Sequence, residues 1–109
     1  MTLRQKQSLF AQLVGKLIAR AYAQGYELTL KDAYRSPEEN FRIYGRKKNS
    51  VHPLQLAIDL NLFRDGAYLR STESHRPLGE WWERQHPLCR WGGRFSDGNH
   101  YSLTHGGVS

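Results

Sequence analysis

Along residues 2–23 the apolar side chains Phe10, Leu13, Val14, Leu17, Ile18 and Ala21 recur at steps of three and one, which lines one face of a helix and leaves Gln, Lys and Arg opposite. Gly25 ends that helix. Residues 26–34 alternate loosely and are rich in strand formers, so they predict a first strand. A short helix is expected over 36–44, with Ser36 as N-cap, Pro37 in the first turn, and Glu38 and Glu39 complementing the helix dipole. After a basic loop at 45–49, residues 54–63 carry apolar side chains at nearly every position and read as a buried strand. Asp65-Gly66 is a two-residue hairpin turn to a short strand at Tyr68 and Leu69. Residues 70–76 read as polar connection. A helix over 77–86 packs through Leu78, Trp81 and Trp82 and is stopped by Pro87. Residues 90–103 read as a glycine-rich loop that delivers His100 at the start of a last short strand.

This pattern places Asp59 in the middle of the most apolar segment. A carboxylate there is costly unless it is paired, hydrogen-bonded or bound to a metal. His52 and the cluster Asp97, Gly98, Asn99 and His100 are the candidate partners.

A chain of 109 residues is expected to form a single domain over 1–109 with one modest core. A net charge of +6 favours a polyanionic partner, whether nucleic acid, anionic lipid or acidic cell-wall polymer, without choosing among them. The densest basic run, Arg46-Lys47-Lys48, falls in the expected loop and reads as a solvated turn. Cys89 has no partner for an internal disulfide and reads as a core thiol. No apolar run approaches membrane-spanning length, and Lys16 and Arg20 interrupt the N-terminal segment where a signal peptide would be apolar. Synthesis in the cytoplasm without a signal peptide is expected.

Two imidazoles and a carboxylate with an open fourth position form a zinc set suited to catalysis, and His52, Asp59 and His100 supply those groups. Asp97, three residues before His100, is a second carboxylate placed to accept a proton. The ordered motifs Tyr34-Arg35-Ser36, Ser50-Val51-His52, Ala57-Ile58-Asp59-Leu60 and Asp97-Gly98-Asn99-His100 resemble the zinc-dependent peptidoglycan peptidases. That family takes in D-alanyl-D-alanine carboxypeptidases and dipeptidases and the phage L-alanyl-D-glutamate endopeptidases, and the small phage or prophage members are the most similar. The resemblance implies that His52, Asp59 and His100 bind zinc and that Asp97 is the general base. It further implies that Arg35 steadies the developing oxyanion and contacts substrate, as Ser50 does. The implied fold is α+β, a small antiparallel sheet with helices packed on one side and the zinc site at the sheet edge.

The implied substrate is a bacterial peptidoglycan stem peptide, met by a monomer that takes no nucleic acid and reaches the wall through a holin or as part of a virion. Two departures stand out: Gln55 replaces a frequent family glycine, and Gly98-Asn99 replaces a tryptophan-histidine pair found in some members. Two other classes compete. A nonenzymatic basic module for cell wall or nucleic acid fits the charge and aromatics, but the chain lacks a recognisable nucleic-acid motif. A metal-dependent phosphoesterase or nuclease fits Gly98-Asn99-His100, but the further Asp and His motifs of a two-metal site are missing.

Overall fold

A computed structural model describes residues 1–32 and 54–109, so the expected helix at 36–44, the basic loop, and Arg35, Ser50 and His52 lie outside the described residues. Helix α1, Leu3–Ala23, starts at Thr2, whose side chain accepts the Gln5 N–H while the Gln5 side chain returns to the Thr2 N–H. Phe10, Leu13, Leu17 and Ala21 are its buried face. Gly25, at φ +84°, turns the chain into β1, Glu27–Asp32.

The long central strand β2, Ala57–Arg64, begins later than the apolar run suggests. Gln55 interrupts the run with φ +58°, a left-handed conformation that a residue with a Cβ holds at a cost of about 1 kcal/mol. This is the position where the resemblance expects glycine, and the backbone supplies the reason. Gln55 is exposed, so its side chain meets no packing obstacle.

Asp65 and Gly66, at φ +51° and +80°, form the expected hairpin turn into β3, Ala67–Leu69. The next helix departs from expectation. It runs over Thr72–Glu83 (α2) rather than 77–86, with Ser71 as its cap accepting the Ser74 N–H. Pro77 therefore lies in the second turn, where its missing N–H removes one helix bond, to the Glu73 carbonyl. A good cap and the buried face His75, Leu78, Gly79 and Trp82 outweigh that loss.

Part of the expected glycine-rich loop is also a strand, β4, Cys89–Trp91, which is too short to show alternation. A 3-10 turn, Gly92–Phe95, then leads to β5, His100–Leu103.

The five strands pair antiparallel in the order β1-β2-β5-β4, with β3 also on β2. Asp59 pairs with Asp32 on one side and His100 on the other, while Phe63 pairs with Glu27 and Tyr68. It follows that β3 and β5 share one edge of β2, end to end, opposite β1. Alternation puts Ile58 and Tyr101 on one face of the sheet, and Asp59 and His100 on the other.

Tyr101 meets the helices. Phe10, Trp82 and Tyr101 form two edge-to-face contacts at 6.0 and 6.2 Å, and the Trp82 indole N–H donates to the Arg90 and Ser102 carbonyls.

Trp91 is fully buried and occupies space that two glycines vacate: a Cβ on Gly79 or Gly93 would overlap its indole. Its Nε1 donates to the Gly98 carbonyl at 2.7 Å, and its backbone N–H donates to Glu83. Helix propensity alone would make Gly79→Ala stabilising. The overlap reverses the sign, and we expect Gly79→Ala to lower stability by about 2 kcal/mol or more. Urea unfolding measures this, and an unchanged midpoint would refute the close packing.

Candidate metal centre

Asp59 and His100 are cross-strand partners on β2 and β5, both buried, with His100 Nδ1 3.3 Å from Asp59 Oδ1. Asp97 is exposed and joins them. One ligand atom from each of Asp59, Asp97 and His100 lies within 4.8 Å of the others. The described residues thus bring together three of the four groups expected at the centre; the fourth, His52, lies outside them.

The loop before β5 is shaped by backbone bonds and by missing side chains. The Asp97 N–H donates to the Gly92 carbonyl at 2.8 Å, and the His100 N–H donates to the Asp97 carbonyl at 3.1 Å. Beyond the last β2–β5 pair, the Leu60 N–H donates to Asn99 at 2.9 Å. A Cβ on Gly92 would overlap the Asp97 carbonyl and crowd the His100 Cβ, while one on Gly98 would crowd the Thr72 backbone. Among the described residues no N–H donates to the Asp97 carboxylate.

Glu83 secures the far side of the loop. Burial works against its charge, but hydrogen bonds from Arg94 and the Trp91 N–H outweigh that and hold its carboxyl below the usual range.

Cys89 plays no part in this chemistry. Burial pushes its thiol up to about 12, so it stays protonated, and His86 Nδ1 is taken by the Leu88 N–H.

A cavity of about 460 Å³ adjoins the centre, with Asp97 in its wall. It also exposes a residue that the sequence reading passed over: His75, assigned to polar connection, is buried in α2 with Nδ1 2.8 Å from the Tyr101 hydroxyl. Only its place three residues before Leu78 on the helix face could have flagged it.

No family model and no curated protein matches this chain. Among solved structures, the crystal structure of the Serratia marcescens L-Ala D-Glu endopeptidase ChiX matches with a TM-score of 0.65, covering 86% of this chain and 79% of ChiX at 21% identity. The two share a fold. The α+β architecture expected from the sequence is that of ChiX, and the Asp59, Asp97 and His100 cluster sits within it.

Burial lowers the His75 pKa from 6.5 to about 4, so the folded protein keeps its imidazole neutral at pH 7. The unfolded chain binds that proton first as pH falls, so His75 contributes stability that is complete above about pH 6.5 and lost progressively down to about pH 4. The loss is on the order of 2–3 kcal/mol. Urea midpoints at pH 7.5 and 5 should fall further apart for wild type than for His75→Asn, which cannot titrate. Equal falls would assign the acid sensitivity to other groups.

Proposed function

We propose that this protein is a zinc-dependent peptidase of bacterial peptidoglycan stem peptides. The observation that carries the reading is the convergence of Asp59, Asp97 and His100 within 4.8 Å on a fold shared with an L-Ala D-Glu endopeptidase. An imidazole and carboxylates at that spacing suit zinc. Asp59 and His100, with His52 from the sequence pattern, would hold it. Bound zinc supplies Lewis-acid polarisation of the scissile carbonyl and acidifies a water molecule.

The remaining steps belong to the chain. Asp97 is exposed where the buried pair is not, so its carboxylate can reach both water and substrate, take the proton of the attacking water and pass it to the leaving amine. Arg35 balances charge growing on the carbonyl oxygen, and Ser50 contacts the substrate beside it; both assignments rest on the sequence pattern.

The ChiX likeness favours cleavage between L-alanine and D-glutamate over D,D-carboxypeptidase action. The net charge of +6 assists approach to an anionic wall. No helix among the described residues is long and apolar enough to cross a membrane.

Elemental analysis of the purified protein should find about one zinc per chain. Asp59→Ala and His100→Ala should lose the metal, while Asp97→Asn should keep it and fail to hydrolyse peptidoglycan. Full activity in excess chelator would refute the metal, and a zinc-loaded, active Asp97→Asn would remove the base while leaving the metal site standing. Arg35→Ala should lower turnover by on the order of a hundredfold with zinc retained. Wild-type turnover in that variant would withdraw its role.

A further inference from the structure

The 460 Å³ cavity beside the candidate centre opens along β2 where β3 has ended and β5 has yet to begin. Asn61 and Tyr68, hydrogen-bonded to each other at 3.2 Å, line one part of it, and Asp97 lines another. Lys31 and Arg70 bring two exposed positive charges to its rim. Among the described residues Asp97 is the one acid in the lining, and it belongs to the candidate metal cluster.

Lys31 is directed by backbone geometry. Leu30 pairs with Leu60 and Asp32 with Asp59, so Lys31 is the extra residue of a β-bulge, a device that re-aims a side chain. Arg70 sits over the Tyr68 ring at 5.4 Å, which limits where its guanidinium can go. Thr72, the first residue of the twelve-residue α2, also faces the cavity and adds the positive end of a helix dipole.

The independent observation is His75. It is 2% exposed, its Nδ1 is taken by the Tyr101 hydroxyl, and its Nε2 has no hydrogen-bond partner among the described residues. A polar edge on a cavity wall can be met there by a ligand or by water. When the Tyr101 hydroxyl donates to Nδ1, Nε2 carries the proton and can donate into the cavity.

We propose that this cavity is a subsite for a free α-carboxylate on the leaving-group side of the scissile amide, held by Lys31, Arg70 and the His75 Nε2–H. The proposal rests on the peptidase reading and extends it. Asp97 must deliver its proton to the leaving nitrogen, and Asp97 lines this cavity, so the leaving residue is the one that reaches it. An α-carboxylate stands one carbon from that nitrogen. Two substrate residues present one there: a D-glutamyl residue linked through its γ-carboxyl, and a C-terminal D-alanine.

The test compares matched peptide pairs that differ only in a free or amidated α-carboxyl on the leaving residue, one pair D-glutamyl and one D-alanyl. Wild type should favour the free acid of one pair by tenfold or more in KM, and the pair that shows the preference identifies the source. In Lys31→Met/Arg70→Met that preference should fall below about twofold. Equal use of acid and amide by wild type, or an undiminished preference in the double variant, overturns the subsite. A second readout needs no turnover: γ-D-glutamylglycine titrated into the purified protein should shift the His75 imidazole NMR signals, and its α-amide should not. That shift with no peptide cleaved would uphold the anion site while removing the peptidase reading, and no shift would overturn the site itself.

Discussion

The antiparallel pairing of β2 with β5 fixes the chemistry of this protein, because it sets a buried carboxylate opposite a buried imidazole. A lone carboxylate at the depth of Asp59 would cost several kcal/mol. The register offsets part of that cost by bringing His100 Nδ1 to 3.3 Å. A one-residue slip would turn Tyr101 toward Asp59 and drive His100 among the helices, so the apolar pattern of the strands also specifies the polar pair.

That register holds only if the loop before β5 closes tightly, and Trp91 closes it. Its indole fills the room left by Gly79 and Gly93 and ties down the Gly98 carbonyl, while Glu83 binds its backbone and the Arg94 side chain. Asp97 leaves this braced loop on the solvent side and His100 enters the sheet. The same few residues therefore produce one exposed and one buried group, three positions apart. The loop thus sets an exposed carboxylate beside a buried Asp–His pair.

Much of this was legible in the sequence, for reasons that can be located. The spacing of Phe10, Leu13, Leu17 and Ala21 gave α1, and Asp65-Gly66 gave the hairpin, because both signals are local. Asp59 announced itself as an acid in an apolar run. The start of α2 was misread because Pro77 is an ordinary first-turn marker, and the stronger signal was the Ser71 cap six residues earlier. The strand at Cys89–Trp91 was missed because three residues carry no period, and its existence depends on pairing with Leu103 and Tyr101 from β5. His75 was missed because its partner, the Tyr101 hydroxyl, is 26 residues away.

The division of one edge of β2 between two strands has a functional consequence. A single long strand along that edge would have satisfied every backbone group from 57 to 64 and left a closed surface. Instead β3 leaves after Leu62 and β5 arrives at Asp59, so the stretch between is held by a loop contact, Leu60 to Asn99, and stands open as a cavity. The bulge at Lys31 lies on the opposite side of the same stretch, between the pairs at Leu30 and Asp32. Both irregularities fall next to Asp59. Sheets yield regularity at cost, since each unpaired backbone group must find another partner, and here the two departures combine to put a cavity and a cation beside the acid pair. The irregular geometry at this point of β2 is what leaves open space beside a buried Asp–His pair.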